Sequence, residues 1–304
     1  MEGCFRGGLR RWYGASSVPE GLFSGGLNVS DWLIAIILGL VEGITEYLPI
    51  SSTGHLILFG ELLSFTGDKA KTFDVVIQLG AILSVLVLYW RRFLGLLDGV
   101  SGDVAHPRRW LEPGLRGVRG LFKLGLVTLP ALAVGLLFRH QIKEHLFAPL
   151  PVATALAVGA VLILLVDRGR GEGGTQEVEQ ITCRQSILIG CVQCLALWPG
   201  MSRSASAIIG GMLVGLTRKS AAEFSFIAAV PILGAAAMHD LFEAVQVFTA
   251  DELFSVAIGF VVSFVTALAA MKWFIGIVSR WSLRPFAYYR LLVALLVAYL
   301  SLGK

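Results

Sequence analysis

Charged residues are scarce in this chain. Asp, Glu, Lys and Arg make up 15% of its 304 residues, against about 25% in an ordinary soluble domain. With 56% of residues hydrophobic and a mean hydropathy of +0.76, that scarcity excludes a soluble globular protein and indicates a polytopic membrane protein. Cysteine is scarce too, limited to Cys4, Cys183, Cys191 and Cys194. Cys191 and Cys194 form a C-x-x-C, but no further ligands stand at zinc spacing, so they read as small apolar residues on a packed helix face. The net charge is only +4, and the basic residues gather between apolar runs. That is ordinary membrane topology and not a nucleic-acid footprint. The first 27 residues lack the apolar core of a signal peptide. They are Gly-rich, carry Arg6, Arg10 and Arg11, and read as a disordered tail or an overextended start before one integral membrane domain, 28–304. Asn28-Val29-Ser30 fits a glycosylation acceptor, but so short a pattern reads as accidental.

Long apolar runs recur at 74–90, 121–138, 150–166, 222–238, 253–271 and 289–302. A membrane-crossing helix needs about 20 residues, so the last run is short unless Tyr288 and Tyr289 anchor it at the interface. Segment 91–123 carries Arg91, Arg92, Arg108, Arg109, Arg116, Arg119 and Lys123, and segment 272–290 carries Lys272, Arg280, Arg284 and Arg290. Segment 239–252 carries no Lys or Arg but has Asp240, Glu243, Asp251 and Glu252. The bias places 91–123, 167–185 and 272–290 in the cytoplasm, with 139–149 and 239–252 outside.

Against this background Glu42 and Glu46 stand out, set in the apolar stretch 34–50. A carboxylate at mid-membrane costs about 2.5–3.5 kcal/mol or more, so it calls for a function. The i, i+4 spacing puts both on one helix face, one turn apart. Pro49 then stops the helix, and Ser51, Ser52, Thr53, Gly54 and His55 follow. Carboxylates beside hydroxyls and an imidazole suit a site that holds a metal ion and works on an oxyanion.

The chain also repeats itself at an offset of about 150 residues. Pro49 set over Pro199 brings Ser52 onto Ser202 and Thr53 onto Arg203; with one residue of slip, Glu42 meets Gln193, Phe73 meets Phe224 and Gly80 meets Pro231. Each half, about 30–166 and about 184–302, opens with two short apolar segments around a polar break and continues with three long ones. Short pairs of this kind predict re-entrant hairpins, and an odd number of spans per half then predicts an all-α inverted repeat with two broken hairpins meeting near the midplane. In the second break, Arg203 is the one Lys or Arg that the expected topology puts inside the membrane. Its planar fork suits phosphate oxygens, with a salt bridge to Glu42 or Glu46 as the alternative. Gly200 allows close backbone approach, and Ser202 or Ser204 can cap the next helix. The helix N-termini after SSTG and SRS would both favour a phosphate. Gln193 and Gln78 are expected to supply supporting hydrogen bonds.

The stretches E-G-I-T-E-Y-L-P-I-S-S-T-G-H at 42–55 and P-G-M-S-R-S at 199–204, supported by 71–80 and 190–200, resemble the undecaprenyl-pyrophosphate phosphatase (bacitracin-resistance protein) family from about residue 30 to the end. The resemblance implies removal of the terminal phosphate from a C55 polyprenyl pyrophosphate in the bacterial inner membrane. It implies a divalent cation, Mg2+ with Ca2+ as the alternative, at Glu42 and Glu46. It gives functional roles to Glu42, Glu46, Ser52, Thr53, His55, Ser202 and Arg203, with Ser51, Gly200, Ser204 and Gln193 placed around the substrate. Where the family commonly has a threonine this chain has Ala207, with Ser206 one position earlier. The type-2 phosphatidic acid phosphatases are a poorer match, because they need a His where Ile208 stands. The nucleophile stays open among Ser52, His55 and water, with His55 as general acid or base. A polyprenyl-phosphate flippase is the rival reading, the site is expected to open outward, and the oligomeric state stays open, a homodimer included.

Overall fold

The computed structural model describes residues 30–98, 107–146, 148–167, 177–244 and 250–302. The tail at 1–27 lies outside them. Among the described residues there are helices and turns and no strand. The first half contains α1 (Asp31–Thr45), α2 (Ser52–Leu62), α3 (Asp68–Leu88), the short α4 (Trp90–Gly95), α5 (Gly117–Leu137), the short α6 (Arg139–Leu146) and α7 (Pro149–Val166). The second contains α8 (Cys183–Gln193), α9 (Arg203–Leu213), α10 (Arg218–Ala244), α11 (Ala250–Val278) and α12 (Arg284–Leu302).

Local signals set these boundaries. Asp31 sits in the first turn of α1, where its charge complements the helix dipole. Thr182 and Gln185 close a capping box on α8, and Pro149 stands in the first turn of α7. Five helices, 69–88, 117–137, 149–166, 218–238 and 253–278, are long and apolar enough to cross a membrane. Their outward faces stay apolar, with Leu136, Leu137, Leu165, Val261 and Val265 exposed, as a lipid-facing surface requires. This is a multi-pass membrane protein. The sixth apolar run lies in α12, which at 19 residues begins earlier than the hydropathy indicated.

That early start corrects the sequence-based loop at 272–290. Lys272 lies within α11 and Arg290 within α12. Arg290 is fully buried, so Arg203 is not the only arginine in the interior. Lys123, assigned to the cytoplasmic loop, is likewise buried in α5, where it donates to the carbonyls of Trp110 and Glu112 and ties down the 107–112 segment.

The halves interlock. α1 packs on α11 and α8 on α5, so each half's leading hairpin rests on the second long helix of the other. α3 packs on α10, and α7 on α12. Small residues allow the close crossings: a Cβ on Gly39 would come within 2.7 Å of the Gly259 carbonyl, and one on Gly190 within 2.7 Å of the Val127 carbonyl. The two breaks also share a backbone. Ser51 and Ser202 both adopt φ 74°, and each accepts from the amide three residues on, Gly54 at 3.4 Å and Ala205 at 3.2 Å. At the far ends of α2 and α9, Ser64 and Gly215 both have positive φ. Phe65 N bonds Gly60 O at 2.8 Å, as Leu216 N bonds Gly211 O at 3.0 Å. The corresponding residues are therefore Ser51 with Ser202 and Ser52 with Arg203, one position along from the register given by overlaying the prolines.

Candidate active site

The two breaks meet around a cavity of about 230 Å³. Ser51, Ser52 and Thr53 line it from the start of α2, Gly200, Ser202 and Arg203 from the start of α9, and Glu46, Gln78 and Gln193 complete its polar wall. Pro130 and Pro231 stand inside α5 and α10 just before Ala131 and Ile232, which form part of the apolar wall. Gly200 is required here: its φ is +97°, and a Cβ would stand 2.5 Å from the Val152 carbonyl.

Glu46 is the hub. It sits in the turn after α1, with its amide bonded to Glu42 O at 2.9 Å. Its Oε2 accepts from Ser52 Oγ at 2.5 Å and its Oε1 from Arg203 Nη2 at 2.8 Å. Arg203 also donates from Nη1 to the Ser225 carbonyl at 3.0 Å and to Ser225 Oγ at 3.2 Å, and its guanidinium lies 5.6 Å from the Tyr47 ring centre. Its Nε is buried and has no hydrogen-bond partner among the described residues. A guanidinium beside two helix N-termini has the donors and charge that an anion would require.

Glu42 is arranged differently. It is fully buried, does not line the cavity, and neither carboxylate oxygen has a hydrogen-bond partner among the described residues. Glu46, Asp74 and Arg203 are its charged neighbours. Gln193, the matching residue of the second hairpin, donates to Val127 O at 3.1 Å and leaves Oε1 unpartnered.

His55 is held on both sides. Nδ1 meets Ser51 O at 2.7 Å and Nε2 meets the Tyr289 hydroxyl at 2.7 Å, and the ring does not line the cavity. It braces the Ser51 turn. Ser204 also lies outside the cavity wall: its hydroxyl donates to Leu48 O at 2.7 Å and pairs with Ser202 Oγ at 2.9 Å, joining one break to the other. Ser206 donates to Ser202 O at 2.9 Å within α9, so it does not bring a hydroxyl into the cavity in place of the missing threonine. The cysteines Cys183, Cys191 and Cys194 are free thiols, and Cys191 is exposed instead of packed.

Tyr47, Asp74, Tyr289 and Arg290 were not singled out by sequence reasoning as site residues. Arg290 spends all its donors on backbone carbonyls: Nε on Leu156, Nη1 on Pro49 and Met201, and Nη2 on Ala155 and Gly200. A buried arginine with no carboxylate partner has no spacing signature; only the YYR start of an apolar run marked it.

Comparison with known proteins agrees with this geometry. The family described as bacitracin resistance protein BacA matches residues 35–296. An undecaprenyl-diphosphatase of Nitratidesulfovibrio vulgaris (strain DP4) is 54% identical over 271 residues, covering 89% of this chain and 98% of that protein. Proteins of the same name from Maridesulfovibrio salexigens and Solidesulfovibrio magneticus are each 52% identical, covering 87% and 88% of this chain and 97% of theirs. With the match running from α1 through α12 and taking in both breaks, the chain belongs to the bacitracin resistance protein BacA family.

Proposed function

We propose that this protein is an integral membrane phosphatase that hydrolyses undecaprenyl pyrophosphate to undecaprenyl phosphate and inorganic phosphate. By this it recycles the cell-wall lipid carrier and confers bacitracin resistance. The observation that carries the reading is Glu46 holding the Ser52 hydroxyl and the Arg203 guanidinium at once, at the wall of a cavity where two helices begin. The names of the relatives favour hydrolysis over lipid transport.

The chemistry follows from the contacts. The pyrophosphate's terminal group enters the polar side of the cavity, met by the amides at the starts of α2 and α9 and by the Arg203 guanidinium. Ser52 Oγ already donates to Glu46, the arrangement of a nucleophile beside its base. Glu46 takes the proton as Ser52, or a water in its place, attacks the terminal phosphorus and the phosphoanhydride bond to the lipid phosphate breaks. Arg203 stabilises charge on the departing oxygen. On the Ser52 route a water then hydrolyses the phosphoserine, releasing phosphate and restoring the hydroxyl. His55 keeps the Ser51 turn, and hence the α2 amides, in place.

A divalent cation fits the donor set. Among the described residues no cluster of three or more His, Cys, Asp or Glu forms a closed cage. Glu42, whose two carboxylate oxygens have no partner among the described residues, and its neighbour Glu46 would hold the ion, hard oxygen donors of the kind Mg2+ takes. Such an ion, when bound, neutralises phosphate charge. The protein belongs in the bacterial plasma membrane with the cavity opening outward, and its two halves form an inverted repeat, a reading supported by the interlocked packing and the matching breaks.

Phosphate release from undecaprenyl pyrophosphate in detergent, with and without chelator, tests this. Release that stops with chelator and returns with Mg2+ is the expected result. Transport alone yields no phosphate, and its absence would sink the proposal.

A further inference from the structure

Two apolar grooves flank the break region, and one of them shares a lining residue with the polar cavity. The first, about 470 Å³, runs along α11 and α12 between Trp273, Ile277, Trp281 and Phe286, touches the first break at Leu48 and Ile50, and has no lining residue in common with the cavity. The second, about 440 Å³, lies between α5, α6 and the segment Cys194–Trp198, and Leu197 lines both it and the cavity. Leu197 lies against α5 at Gly135, where a Cβ would stand 3.2 Å from its Cδ2. Val134 and Phe138 continue the groove along α5 beyond that point.

A path that is polar at Arg203 and Ser52 and apolar past Leu197 suits a ligand with the same division, an anionic head on a hydrocarbon tail. Resting on the phosphatase reading, we infer that the first isoprene units of the substrate pass over Leu197 and lie in the groove between Val134, Phe138 and Trp198. The head then reacts in the cavity while the rest of the chain continues into the bilayer. Leu197 occupies the place in the second hairpin that Glu46 holds in the first. At the same step of the two hairpins, one supplies the carboxylate for the head and the other an apolar sill for the tail. The groove along α11 and α12 is left to bulk lipid.

Chain-length dependence tests this. Wild-type protein should hydrolyse farnesyl pyrophosphate with a kcat/KM roughly tenfold or more above that for dimethylallyl pyrophosphate, because its extra units fill the groove. Val134→Trp fills the groove away from the reacting groups. It should raise KM for the farnesyl compound and cancel its advantage over the dimethylallyl compound. Ile277→Trp, in the other groove, should preserve the wild-type preference. A farnesyl pyrophosphate carrying a diazirine on its last isoprene unit should label wild-type protein within 134–146 or 194–198. Retained preference in Val134→Trp, or labelling within 273–289, overturns the inference. If wild-type protein releases no phosphate from either compound, the phosphatase reading fails separately, and the labelled position alone decides whether the tail uses this groove.

Discussion

Ser52 and Arg203 occupy the same position in their two hairpins, each the first residue of a helix capped by a positive-φ serine, and both donate to the single carboxylate of Glu46. Matching positions have thus diverged into a hydroxyl and a guanidinium. Serine at φ 74° is a strained conformation, of order 1–3 kcal/mol, held at both Ser51 and Ser202 by the surrounding structure. What that geometry supplies is two helix N-termini aimed at one point.

Ser52→Ala removes one hydroxyl and one hydrogen bond. Stability should change by no more than about 1.5 kcal/mol, while phosphate release should fall by about 10²-fold or more if Ser52 delivers or positions the nucleophile. Denaturation in detergent and a phosphate assay separate the two quantities. Wild-type turnover in Ser52→Ala would leave Ser52 with only a structural bond to Glu46.

Arg203→Lys keeps the charge but cannot reach Glu46, both Ser225 acceptors and a phosphate together. Its melting temperature should stay close to wild type while the rate drops. Arg203→Ala leaves Glu46 without its cation in the interior and should cost about 3–5 kcal/mol of stability as well as the rate. Unchanged turnover per folded molecule in both variants would make Arg203 a structural partner alone.

Glu42→Gln should behave in the opposite way to Arg203→Ala. Its carboxylate has no hydrogen-bond partner among the described residues and is fully buried, so neutralising it should hold or raise the melting temperature. Activity should fall and need much more Mg2+ for half-maximal rate, because an amide binds a hard cation poorly. A wild-type Mg2+ titration curve in this variant removes Glu42 from cation binding.

Much of this site was legible because membrane burial makes polar residues conspicuous. Glu42, Glu46, Arg203 and the serines declared themselves by standing in apolar stretches, and the cavity gathers most of them. The repeat was legible as a pattern but not in its register. Proline is the most visible residue of each break, yet the backbone matches Pro49 to Gly200, since what recurs is the strained serine and not the ring. His55 looked catalytic from its neighbours, whereas contacts to Ser51 and Tyr289, the latter from a distant helix, occupy both ring nitrogens. Arg290 was assigned to a loop because the positive-inside rule counts charge and cannot count carbonyls waiting to receive it.

A single crossing by α5 predicts opposite sides for two exposed positions. In a variant lacking the native cysteines, His140→Cys, at the start of α6, should react with a membrane-impermeant thiol reagent added to intact cells, and Arg109→Cys should not. Both side chains are exposed, so access depends on sidedness. Labelling of both, or of Arg109→Cys alone, overturns the orientation.

Arg290 should prove the strongest single determinant of the paired breaks. Its five bonds at 2.9–3.2 Å reach Pro49 in one break, Gly200 and Met201 in the other, and Ala155 and Leu156 on α7. Arg290→Met fills similar space but leaves these buried carbonyls unpaired, at about 1–3 kcal/mol for each that finds no other donor. A large fall in melting temperature is expected, and Arg290→Lys, with three donors, should fall between. Gly159 supplies an independent route to the same disturbance, because a Cβ there would stand 2.7 Å from the Arg290 Cζ. Gly159→Ala should therefore lower stability by displacing the guanidinium. Once Arg290 is methionine, the added methyl should cost far less, so the double variant should be clearly more stable than the sum of the two losses allows. Strict additivity in that cycle would show that Gly159 and Arg290 act separately, and that the breaks hold together without this arginine.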